Sequence, residues 1–196
     1  MTRSRLAAFA VAGPALYVAL VAILHVLEPE WNDTDALSEY ALGDYGFLMN
    51  VAFVAAGFGF AALAATLVGS VRLTASARTG IVLLVVAAVG WILLGTGNVD
   101  PLGAEQTTHG RVHFIGYLLG FPSMLVALLL LARAFGRDER WRPFRRTLLT
   151  LAAAALVAFV LAFSDVASPI TMRLVNALAM LAVALTAIRA SKLGQA

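Results

Sequence analysis

Apolar residues run through this chain in six long blocks, and polar residues are gathered into the short stretches between them. The blocks cover roughly residues 6–27, 47–69, 79–99, 112–132, 147–165 and 171–190, each close to the ~20 residues an α-helix needs to cross the hydrocarbon layer. The pattern predicts an all-α fold: a polytopic membrane protein forming a six-transmembrane-helix bundle. One membrane domain is expected over residues 1–196, with both termini on one side. Arg3 and Arg5 precede the first block as they would in a signal peptide. The apolar stretch is longer than the usual ~7–15 residues of such a segment, so a retained span is expected.

Composition supports the pattern. Of 196 residues, 61% are hydrophobic and only 13% are charged, about half the charged fraction of a soluble domain. The mean hydropathy is +0.89. Cysteine is absent, which removes disulfides, thiolate metal sites and cysteine nucleophiles together. Alanine is abundant and all but one of the basic residues are arginine, the exception being Lys192, a usage that points to a high-GC prokaryote.

Charge orients the bundle. Twelve of the 14 basic residues fall on the side of the termini, leaving Arg111 and Arg173 opposite, whereas nine of the 11 acidic residues lie across the membrane. Positive loops are retained in the cytoplasm, so cytoplasmic termini in a prokaryotic plasma membrane are expected. The basic run "RAFGRDERWRPFRR" is explained by this topology, with Trp141 at the interface, and no nucleic-acid partner is expected. The expected partners are membrane lipids.

Polar side chains add a second asymmetry. His25 closes the first block, and His109 and His113 open the fourth. Asn50, Asn98, Asp100, Asp165, Arg173 and Asn176 fall near the same outer level, while the inner halves of the blocks are nearly bare. Ionisable groups within a span usually face the bundle interior or a wet cavity. An outward-facing polar cavity built from spans 1, 3, 4 and 6 follows, roofed by the acidic first loop. His109, His113, Gly116, Gly120 and Ser123 share one helical face by their spacing, so both histidines are expected to point at neighbouring helices. Asp165 and Arg173 are expected to pair, which would offset part of the cost of burying each.

Several chemistries suit such a cavity. Imidazoles four residues apart on a helix can ligate one metal ion, and a third ligand from His25, with Asp100 and Asp165 as the alternatives, would make a His25, His109, His113 zinc site with an activated water. "HGRVH" lacks the Glu of the zinc-protease H-E-x-x-H motif. Ser38 is a candidate nucleophile if a histidine serves as its base, and otherwise a helix cap or part of a lid. His113 is then the acid–base group and Asp100 the residue that orients it. Arg173, Asn176 and Asn50 are candidate substrate-binding residues, with Arg173 suited to an anionic headgroup. The function expected is binding, and in one reading hydrolysis, of a lipid-like or small amphiphilic molecule. A small transporter or channel subunit is the rival, and a haem held by His25 with His109 or His113 is a third reading.

"LSEYALGDYG" after the first block, "DP" closing the third, "THGRVHFIG" opening the fourth and the arginine at the start of the sixth resemble the prokaryotic six-helix membrane family called domain of unknown function 998. The resemblance covers nearly the whole chain. It implies that Ser38, Asp100, Gly110, His113 and Arg173 occupy positions the family tends to keep, and it implies no reaction. The Ser, Asp and His at one membrane face are also similar in kind to those of the alkaline ceramidase and adiponectin-receptor hydrolases, which have seven spans and place their histidines differently.

Overall fold

The computed structural model describes residues 2–163 and 168–194, apart from the side chains of Arg3 and Ser168. The six helices are α1 Arg3–Leu27, α2 Phe47–Val68, α3 Ala75–Thr96, α4 Thr108–Phe135, α5 Arg145–Leu161 and α6 Ser168–Leu193. No strand occurs among the described residues, and all six helices are long and apolar enough to cross a membrane. The expected all-α bundle of six apolar helices is therefore what the chain forms.

The helix ends differ from the apolar blocks for local reasons. Thr74 and Thr107 each accept a hydrogen bond from the backbone three residues on, so α3 and α4 begin earlier than hydropathy alone indicates. A side-chain oxygen at that position satisfies one of the free N–H groups of the first turn. The start of α4 at Thr108 brings His109 and Gly110 into the helix.

Each helix packs on its sequence neighbours, and α6 returns to α1, so the six close into a ring. Between α3 and α4 the approach is backbone to backbone. A Cβ at Gly116 would lie 2.7 Å from the carbonyl oxygen of Gly90, and one at Gly90 would strike the backbone of Gly120. Small residues are the means by which membrane helices come this close. Side chains outside the ring remain apolar, including Phe9, Phe58, Val82, Phe114 and Ile170, as lipid contact requires.

The middle of the ring is filled by rings of another kind. Trp91 on α3 is 0% exposed. Around it, at centroid distances of 5.1–5.6 Å, stand Tyr17 of α1, Phe53 and Phe60 of α2, and Phe121 of α4. Edge-on and tilted aromatic contacts of this kind add about 0.5–1.5 kcal/mol each beyond area burial.

The two ends of the ring carry opposite charge. At the basic end the Asp138 carboxylate accepts the backbone N–H of Arg72 at 2.9 Å and of Arg140 at 3.0 Å, while Trp141 Nε1 donates to the carbonyl of Ser70 at 2.8 Å. These bonds join the α2–α3 loop to the α4–α5 loop. Trp141 is accordingly fully buried and stacked 4.1 Å from Phe135, inside the protein rather than on its outer surface. Its indole had a carbonyl partner within the protein, so burial left no donor unpaired.

Candidate functional site

At the acidic end the first loop does more than connect. Its 3-10 turn Leu37–Leu42 buries Leu37 and Tyr40 against the helices, so Ala36, Leu37 and Ser38 form a roof over the ring. Two anchors hold the roof. Glu28 is 2% exposed and its carboxylate accepts the backbone N–H of Tyr45 at 2.5 Å. Arg173 on α6 donates from Nη2 to the carbonyl of Asn32 at 2.5 Å, and from Nη1 to the carbonyls of Thr34 at 3.1 Å and Pro169 at 2.8 Å.

Arg173 also donates from Nε to Nε2 of His25 at 3.3 Å, while the other ring nitrogen of His25 donates to the carbonyl of Val21 at 2.8 Å. The guanidinium is thus spent on loop backbone and on an imidazole. These partners stand where the sequence suggested an anionic headgroup. Asp165, its expected partner, lies outside the described residues. The nearby Tyr40 hydroxyl donates to Asn32 at 2.6 Å. Burial pushes its pKa up, partly countered by Arg173.

The opening of α4 is built around Asp100. Its carboxylate accepts the backbone N–H of Thr107 at 2.9 Å and the Thr107 hydroxyl at 2.7 Å, and that hydroxyl in turn accepts the N–H of Gly110 at 3.0 Å. Hydrogen bonds from the Thr107 hydroxyl and then its N–H hold the Asp100 carboxyl below the usual carboxylate range. A Cβ at position 110 would fall on this carboxylate and force it from its place against Thr107. Asp100 therefore positions the helix start. The carbonyls of Leu94 and Gly97 are what orient His113.

His113 is 7% exposed and its Nδ1 lies 3.1 Å from the carbonyl oxygen of Leu94 and 2.9 Å from that of Gly97. Two acceptors at one ring nitrogen require the proton there, which leaves Nε2 of the neutral ring as an acceptor. Nε2 makes no hydrogen bond to any described residue and is not among the buried polar atoms left without a partner, so it meets open space. His113 lines two cavities, one of about 40 Å³ inside the ring and one of about 310 Å³ leading outward past Asp100 and Phe114. Ser38 lines the same two cavities. The Ser38 hydroxyl likewise makes no hydrogen bond to a described residue.

The remaining candidates separate. Asn176 lines the inner cavity, accepting from the Tyr17 hydroxyl at 2.8 Å and donating to the carbonyl of Met172 at 2.8 Å. Asn50 faces a different groove on the flank of α2 and pairs with Asn98 at 2.8 Å. His109 is exposed, one turn before His113, where its side chain extends past the covered part of α4. No group of three His, Asp or Glu residues that could hold a metal ion occurs among the described residues. His25 has both ring nitrogens engaged, so the donor set fits neither the expected zinc site nor a haem iron held by His25.

Residues beyond the sequence-derived set complete the site. Thr107 was legible as a capping threonine before an apolar run. Tyr17 and Tyr117 sit inside apolar blocks without any signal separating them from other core aromatics. The Leu94 and Gly97 carbonyls are backbone groups and leave no trace in side-chain identity.

A ring of six helices, each long and apolar enough to cross a membrane, defines the class: a polytopic helical membrane protein. The chain belongs to the DUF998 family, described as a protein of unknown function, whose family model matches residues 11–190. No curated protein and no solved structure matches it.

Proposed function

We propose that this is a prokaryotic plasma-membrane protein with cytoplasmic termini, whose acidic end binds a lipid-like or small amphiphilic ester from the outer leaflet and hydrolyses it. The supporting observation is the state of His113: its Nδ1 is committed to two carbonyls, and its unpaired Nε2 opens into cavities it shares with Ser38. In this reading Nε2 takes the Ser38 proton as the hydroxyl attacks, and the carbonyls of Leu94 and Gly97 hold the tautomer as a carboxylate does in serine hydrolases. The outer cavity gives the amphiphile its place, with Phe114 at its lipid-facing edge. Asn176 contributes to the inner wall, and Arg173 acts at one remove by holding the roof that carries Ser38.

A transport path is the weaker reading. The aromatic group around Trp91 fills the ring beneath the cavity, and the basic end is tied shut through Asp138.

Labelling of the detergent-purified protein by a fluorophosphonate, followed by peptide mass spectrometry, tests the proposal. The expected adduct is on Ser38, lost in Ser38→Ala and strongly slowed in His113→Gln. An adduct elsewhere, or none, overturns the hydrolase reading.

A further inference from the structure

Ser38, His113 and Tyr117 line both cavities at once, so the proposed pair stands at the junction, here called the constriction, between a large space and a small one. The outer space, about 310 Å³, is large enough for a substantial part of an amphiphile. The inner one is about 40 Å³, and since one water needs ~10–15 Å³ of such space it admits about three non-hydrogen atoms. A substrate whose scissile bond lies at the constriction must put its smaller part inside.

The inner walls set the chemistry of that part. Leu37, Phe53, Leu94, Phe121 and Met172 make them mostly apolar. The polar pair there, Tyr17 and Asn176, is already joined, with the Asn176 amide also bound to the carbonyl of Met172. A charged group would find little to replace its water, whereas a short alkyl group loses nothing. The walls are also stiff. Trp91 backs Phe53 at 5.6 Å and Phe121 at 5.1 Å, and close-packed interiors yield little to added methylenes.

Taking Ser38 and His113 as the hydrolytic pair proposed above, we infer that the inner cavity is an acyl pocket sized for acetyl or propionyl. The reaction is then removal of a short acyl group from a hydroxyl of an amphiphile whose larger part stays in the outer cavity. The Ser38 Oγ–acyl carbon bond forms, and the bond from that carbon to the amphiphile's oxygen breaks. The Ser38 proton passes to His113 Nε2 and on to the departing oxygen. Water then attacks the acyl-serine, its proton returns through His113 to Ser38 Oγ, and a short carboxylic acid leaves.

Chain-length dependence tests this directly. The purified protein is given p-nitrophenyl acetate, propionate, butyrate and octanoate, with the Ser38→Ala rate subtracted. Acetate and propionate should be turned over fastest, with kcat/KM falling about tenfold or more towards octanoate, since one misfit methylene is worth ~10-fold or more in a tight pocket. Met172→Ala should move the optimum to butyrate. If that variant does not fold, the wild-type profile decides alone. Ser38-dependent hydrolysis that is level across the series, or fastest with octanoate, overturns the acyl pocket and leaves the hydrolase reading standing. No Ser38-dependent hydrolysis at any length overturns both.

Discussion

The two ends of the bundle solve one problem in opposite ways. Each must close a ring of apolar helices with a polar loop, and each buries a carboxylate against loop backbone: Asp138 at the basic end and Glu28 at the acidic end. At the basic end the closure is dense, although Ser70 Oγ and Arg189 Nε are buried there without a partner. Asp138 takes two N–H groups, Trp141 and Arg140 share the Ser70 carbonyl, and Trp141 fills the remaining space. At the acidic end the anchors hold the roof at its margins and leave its middle hollow, with the Ser38 hydroxyl and one nitrogen of His113 unpaired beside a cavity. Polar groups left free next to open space are available to chemistry. Burial of charge at a loop is thus a device for closure, whereas polarity that borders a cavity, unlike the sealed Ser70 hydroxyl and Trp91 indole, is open to a ligand.

The sharpest way to break the comparison is to ask which end faces outward. Because the chain has no cysteine, Asp33→Cys and Glu139→Cys can be labelled in intact cells with a membrane-impermeant maleimide. Position 33 should react fully and position 139 only after permeabilisation. Reaction of both from outside would remove the proposed topology.

Next in size are changes that separate chemistry from closure. Ser38→Ala should lower ester hydrolysis by at least ~10²-fold, as loss of an activated nucleophile does, with an unchanged melting temperature. Asp138→Ala should do the reverse. Removing the acceptor of two part-buried backbone donors should cost about 1–3 kcal/mol, read as a lower Tm in detergent, with hydrolysis intact below that temperature. A fall in both properties for either variant would mean the two ends are not independent.

Arg173→Ala tests the roof. It loses hydrogen bonds to Asn32, Thr34 and Pro169 together with the contact to His25, and should cost about 2 kcal/mol. It should also slow Ser38 labelling, with Arg173→Lys restoring part of both, because one of the carbonyl bonds can still form. An Arg173→Ala protein with full labelling would show that the roof needs no latch.

The smallest effect concerns pH. Asp100 is held below its ordinary pKa by Thr107, so its contribution is fully present above the unfolded value near ~4 and is lost as pH falls through the lower folded value. Wild-type Tm should drop with acidification below about pH 4, and Asp100→Asn should flatten that part of the curve while starting slightly lower. An identical acid profile in the variant would place the sensitivity elsewhere.

How much of this was legible beforehand follows from the kind of information each feature carries. The six helices were written as runs of hydropathy, and the inward faces of α4 and α6 as the spacing of His113, Gly116 and Gly120 and of Arg173, Asn176 and Met180, all of them covered to some degree. Helical period says which residues share a face, but not how far the neighbouring helix extends to cover it. His109 has the same phase as His113 and is nevertheless exposed, because it stands in the first turn of α4 while α3 ends at Thr96. Asn50 belongs to the same outer level as Asn176, yet the closing of the ring turns it to another groove.

The sequence by itself determined the class of protein, its helices, the segregation of charge to its ends and the membership of Ser38 and His113 in one polar layer. Those are properties of composition and period, and any apolar environment would draw them out. Tertiary packing settled that Arg173 and Glu28 are spent on the loop, that Asp100 serves the start of α4, and that His113 is aimed by two carbonyls, one in the last turn of α3 and one just past it. Each of those outcomes depends on backbone groups, which every residue carries alike, and on which helix end comes to rest beside which loop.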